Sequence, residues 1–156
     1  MARNFQFRLA TLLRLRETAR DERRGQLAEA YRADELTEQR IVDVGRQLDE
    51  VRVRTRQAIQ PGEVELDRIV TAQRFEVTLR AQQRKLEEQR ALIGQEIERR
   101  RQLLLEANRQ VRVLEQLRDR QRERFDHEQA RREVKQLDEV AATRVGRSEE
   151  VEQWDG

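Results

Sequence analysis

The chain has 156 residues, of which 41% are charged and 36% apolar, with only 4% aromatic and a formal net charge of +2. That balance leaves little material for a compact globular core, and it points to long helices that meet along a narrow apolar seam. Interleaved acidic and basic residues argue against a nucleic-acid binder, which concentrates Lys and Arg on one face. The absence of cysteine rules out disulfides and thiolate metal sites.

Met1 to Phe7 forms a short lead-in, and Phe5, Phe7 and Leu9 alternate with polar residues. Arg8, Arg14 and Arg16 interrupt the apolar residues around Leu9 to Leu15, so neither a signal peptide nor a membrane span is expected and a cytoplasmic location is the default. The first helix is expected over about 8–59. Its seam reads Leu27, Ala30, Asp34, Thr37, Ile41, Val44, Leu48, Val51, Thr55 and Ala58, in alternating steps of three and four. This is the signature of a left-handed coiled coil. Carried backwards, the frame meets Leu9, Leu13, Arg16, Arg20 and Arg23, while Leu12, Leu15 and Ala19 on a neighbouring stripe widen the apolar face. At 1.5 Å per residue such a helix reaches roughly 75 Å.

The only proline, Pro61, stands beside Gly62. Proline lacks the N–H that a helix interior needs, and glycine adopts the left-handed cap at low cost. Residues 60–63 are therefore expected to be the turn between two helices. The second helix is expected over about 64–145 and reaches roughly 120 Å. The β-branched run Ile69-Val70-Thr71 leaves open a separate short helix before a break near 70–75. A second seam then runs through Leu79, Leu86, Ile93, Ile97, Leu104, Ala107, Val111, Leu114 and Phe125, with Gln83, Arg90, Arg100, Arg118 and Gln121 between them. The expected fold is all-α, a long two-helix antiparallel coiled-coil hairpin whose second helix is longer and overhangs the first.

Folding at Pro61 sets opposite one another residues whose numbers sum to about 122 to 124, given equal rise in both arms. Leu27 then faces Ile97, and Asp34 faces Arg90. Two readings of that pair stand open: a partly buried ion pair that sets register, or two side chains that extend separately out of the seam. Leu9 is expected to pair near residue 114, leaving Glu115 to about Val145 without an internal partner. Glu128 with Arg132 and Asp119 with Arg122 are expected to support that overhang locally, each by a few tenths of a kcal/mol. Past Phe125 only a sparse stripe of Val134, Leu137 and Ala141 remains. Residues 146–156 read as a disordered polar tail carrying Trp154, the one tryptophan.

No catalytic constellation stands out. His127, the only histidine, lies among charges and lacks a second soft ligand for a metal. Gly25, Gly45 and Gly94 are isolated and form no phosphate-cradling loop. A two-helix rod encloses no cavity that would perturb a carboxylate. No enzyme activity, cofactor or metal is expected.

The ends of the chain resemble the FliJ family, the coiled-coil component of the bacterial flagellar type III export apparatus. Phe7-Arg8-Leu9 followed by Leu12-Leu13-Arg14-Leu15-Arg16-Glu17 is similar to the family's opening phrase. The run Leu103-Leu104-Leu105-Glu106-Ala107-Asn108 through Val113-Leu114-Glu115-Gln116-Leu117-Arg118 matches its later pattern. So does Glu133-Val134-Lys135-Gln136-Leu137-Asp138-Glu139-Val140-Ala141. Gln116 and Gln136 stand where the family often has charged residues, and the Gly-Arg-Ser-Glu-Glu stretch from Gly146 is read as unmatched.

The resemblance implies a stalk that sits in the pore of the hexameric export ATPase, promotes ring assembly, contacts the membrane-embedded export gate protein and engages export chaperones. That stalk would work at the inner face of the cell membrane beneath the flagellar basal body. It inserts no segment into the membrane and binds no nucleic acid. By position, Leu9, Leu12, Leu13, Leu114, Leu117, Arg118, Arg122 and Phe125 are the candidates for the ATPase contact. Phe75, Leu79 and Leu86 are the candidates for the export gate, and Leu79 and Leu86 are equally read as core seam. The same features fit the equivalent stalk of a virulence-type secretion system or a generic coiled-coil adaptor.

Overall fold

The computed structural model describes residues 4–59, 62 and 64–152. Two helices, α1 (Ala10–Ala58, 49 residues) and α2 (Leu66–Glu152, 87 residues), carry nearly all of them. The chain is an all-helical hairpin among the described residues. α1 starts at Ala10 rather than at Phe7 or Arg8. The Phe7 carbonyl accepts the Ala10 N–H at 3.1 Å and the Leu9 carbonyl accepts that of Leu13 at 2.9 Å, so a turn at residues 8–9 precedes the helix. α1 closes with a tightened last bond, Ile59 N–H to the Arg56 carbonyl at 3.3 Å. Glu65 opens α2, its carbonyl accepting from both Arg68 and Ile69. Asp67 in the first turn complements the positive end of the helix dipole.

Gly62 has φ of 134°, a conformation that an L side chain resists. The break placed at Pro61 itself lies outside the described residues, as do Gln60 and Glu63. α2 runs unbroken from Leu66, so residues 66–75 are not a separate helix. It continues to Glu152, beyond the end near Val145 expected from the tail's composition. Trp154 lies outside the described residues.

The molecule divides into two compact units. One comprises Thr18–Asn108, the other Met1–Glu17 with Arg109–Gly156. In the first, Val44, Leu48 and Val51 of α1 pack on Leu79 and Leu86 of α2, flanked by Ile41 and Ala72. These are the seam positions of the two heptad frames, because a 3.5-residue repeat keeps one stripe facing its partner. Ala30 and Thr37 are buried on the same stripe, and the Thr37 hydroxyl donates to the Ala33 carbonyl at 2.8 Å, so its burial leaves no polar atom unpaired. The cross-helix bonds fix the register. Arg90 reaches Asp34, and Arg100 donates through Nη1 to the Gln26 backbone carbonyl. Those pairs sum to 124 and 126, at or just beyond the expected range.

In the second unit Leu13 and Val111 are buried, and Arg16 donates through Nη1 to the Gln110 side-chain carbonyl at 2.9 Å. The expected widening of the apolar face is not used for packing: Leu12, Leu15 and Ala19 are exposed. Gln121, an expected core position, is exposed as well.

Candidate functional site

The second unit holds all eight residues expected at the ATPase contact, and it places them differently from one another. Leu13 is buried, so it supports the tip from beneath. Leu9 and Leu12 sit at the edge of exposure at 38% and 37%, while Leu114, Leu117, Arg118 and Phe125 are half-buried and Arg122 is exposed. Arg118 bonds Asp119 through Nε at 3.0 Å, and Arg122 lies 4.0 Å from Asp126. The expected partnership of Asp119 with Arg122 is therefore replaced by two other pairings, one between neighbours in sequence and one four residues apart. Glu128 does pair with Arg132, at 4.0 Å.

The expectation that α2 lacks a partner from Glu115 onward is corrected by the lead-in. Residues 4–7 lie outside both helices, and the Phe5 ring lies 5.8 Å from that of Phe125, tilted by 53°. Contact with α2 thus continues past the start of α1. Cover ends near Gln129, and residues 130–144 are exposed throughout. Val134, Leu137 and Val140, at 58%, 69% and 50% exposure, form an unburied apolar group there among Arg131, Lys135 and Asp138. His127 lies on the same stretch, and no group of three or more His, Cys, Asp or Glu that could hold a metal occurs among the described residues.

The first unit holds the three residues expected at the export gate. Leu79 and Leu86 are core residues at 2% and 8% exposure, and no partner reaches them while the hairpin is closed. Their core reading is the one the packing supports. Phe75 lies off the seam and is 48% exposed. It borders an open groove of about 630 Å³ whose apolar floor comes from Val51, Ala58 and Ala72, with Thr55 and Arg54 from α1 and Thr71 from α2 beside them. The groove leaves no signal in the sequence pattern, because it takes residues from the end of α1 and the start of α2 together. Exposed Ile59, Val64, Leu66 and Val70 lie in the neighbouring segments and make this end of the hairpin unusually apolar.

Charge in the first unit is organised around arginine. Arg90 holds Asp34 in a two-pronged bond, Nε to Oδ1 at 3.0 Å and Nη2 to Oδ2 at 3.3 Å, and its Nη2 also reaches Glu38 at 3.2 Å. The geometry selects the ion pair over two separately extended side chains. The hydrogen bond that Arg90 donates to Asp34 raises the Arg90 pKa above its already high ordinary value. Glu96 accepts from Arg99 and then Arg100, which hold its pKa down to about 2. Arg101 reaches the Tyr31 hydroxyl at 2.9 Å, and that bond raises its pKa.

No described helix is long and apolar enough to cross a membrane. A family model described as "Flagellar FliJ protein" matches residues 5–150. The match takes in the stretch from Gly146 to Glu150, which the motif comparison had left out. No curated protein and no solved structure matches the chain.

Proposed function

The chain belongs to the flagellar FliJ family, and from that premise we propose that it is a non-enzymatic stalk held in the ring of the flagellar export ATPase. Membership assigns it to the flagellar export apparatus in general. The observation that supports the finer reading is the exposed length of α2 over 130–144, a charged helix with unburied Val134, Leu137 and Val140. A lone helix in water gains little from packing, and ordering it is most useful where another protein encloses it. In this reading Leu9, Leu12, Leu114, Leu117, Arg118, Arg122 and Phe125 form the grip at the tip, with Leu13 beneath them. The stalk promotes hexamer assembly, and its apolar groove at Phe75 meets the cytoplasmic part of the export gate. Export chaperones dock elsewhere on the rod, and the complex works at the inner face of the membrane beneath the basal body.

The test is ATP hydrolysis by the same bacterium's export ATPase with and without the full chain, run beside sedimentation to score hexamers. Stimulation with more hexamer is expected, and it is expected to vanish when the chain is ended after Ala130, which leaves the Phe5–Phe125 contact in place. Equal hydrolysis and sedimentation with and without the chain would reject the ring reading. For the groove, Phe75→Ser is expected to weaken binding of the gate's cytoplasmic region at least tenfold, in line with the loss of an aromatic anchor, while leaving ATPase stimulation intact. Undiminished gate binding would remove Phe75 from the interface.

A further inference from the structure

The part of α2 that carries Phe125 is already occupied by the chain's own lead-in. Residues 4–7 lie outside the helices, before the turn at 8–9, with Phe5 and Phe7 half-buried and Asn4, Gln6 and Arg8 exposed. Among the described residues, the one hydrogen bond made by residues 4–7 joins the Phe7 carbonyl to Ala10, back toward α1 itself. The segment meets α2 through the tilted Phe5–Phe125 ring pair at 5.8 Å. α2 beneath it keeps its own helical bonds, so lifting the segment about Phe7 leaves that helix intact.

We propose that residues 4–7 are a displaceable strap that masks Phe125 and must lift before a partner takes hold of the tip. The inference rests on the reading of the tip as the ATPase contact. A segment that meets α2 through one aromatic pair is built to exchange, because a partner offering a larger apolar surface outbids a single ring. Chain connectivity keeps Phe5 close by, so the masked form predominates until such a partner arrives. A partner that binds only the unmasked form sees its affinity reduced by the fraction of chains that are open. An aromatic pair of this geometry biases that equilibrium by roughly threefold to tenfold.

The experiment compares the full-length chain with Phe5→Ser, Phe125→Ser and the double variant, each titrated against the export ATPase. Fluorophenylalanine labelling meanwhile reads the solvent exposure of Phe125 in the free chain by fluorine resonance. Phe5→Ser is expected to expose the Phe125 ring in the free chain and to tighten ATPase binding by roughly threefold to tenfold. It is expected to change nothing further in the Phe125→Ser background, where there is no ring to unmask. Binding that Phe5→Ser weakens or leaves unchanged would overturn the strap and make Phe5 part of the docking surface or a bystander. An unshifted Phe125 resonance in Phe5→Ser would overturn it independently of any partner. Absence of ATPase binding by every variant, with the resonance shifted as expected, would reject the ring reading instead.

Discussion

Two stretches of the same seam solve the problem of joining α1 to α2 in opposite ways. Near the turn, Val44, Leu48 and Val51 meet Leu79 and Leu86 and exclude water. Farther along, between residues 26–38 and 90–101, the cross-helix bonds run from Arg90 to Asp34 and Glu38, from Arg100 to Gln26, and from Arg101 to Tyr31. The first stretch supplies stability, because apolar burial is favourable wherever a methyl group fits. It is tolerant of register, since one leucine fits a neighbour's hole nearly as well as the next. The second supplies specificity. A guanidinium fork accepts a carboxylate in one geometry, and a slip by one turn would leave Asp34 facing the wrong side chain.

The sharpest way to break that division is through Leu79, the most buried residue of the first stretch at 2% exposure. Leu79→Ala is expected to cost about 2–5 kcal/mol and to lower the urea midpoint of helix unfolding. A loss under about 0.5 kcal/mol would mean that the apolar stretch is not where the hairpin's stability resides. A smaller effect is expected from Asp34→Leu and Arg90→Leu. Each alone is expected to destabilise, while the double variant loses less than the two single losses added together, because each single change strands the other charge. Independent, additive losses in thermal melts would dissolve the register pair.

The smallest expected effect is the acid dependence of Glu96. Its folded pKa is depressed to about 2 from 4.5, first by Arg99 and then by Arg100. A depressed carboxylate contributes stability that is fully present above pH 4.5 and is lost as pH falls toward 2. Glu96→Gln is therefore expected to remove a modest part of the loss between pH 4.5 and 2 and to leave the apolar stretch's contribution unchanged. Identical acid melting curves for the two proteins would show that these arginine pairs add nothing measurable. That outcome is familiar for exposed pairs within one helix.

Much of this was legible before any coordinates. The alternation of three and four from Leu27 to Ala58 gave each buried residue of α1 in the first unit, and the Asp34–Arg90 pairing followed from counting outward from the turn. Periodicity works here because a two-helix seam has one contact stripe per helix and little else to decide. Counting failed at the ends. Leu15 and Ala19 look like core but stay exposed, because one partner helix covers only a narrow stripe. Leu79 and Leu86 carried a partner reading and a stronger core reading, and their burial fits the latter. The alternation of Phe5, Phe7 and Leu9 does not say on what the lead-in lies.

Heptads, breaker residues and charge composition by themselves determined an all-helical antiparallel hairpin, its register and its longer second helix, since each depends on local geometry repeated along the chain. The tertiary structure alone decided that Phe5 reaches Phe125, that exposed cover on α2 begins to fail near residue 130 rather than 115, and that a groove opens beside Phe75. Those features depend on which residues far apart in the chain come together, and that is not written in a pattern of residue types.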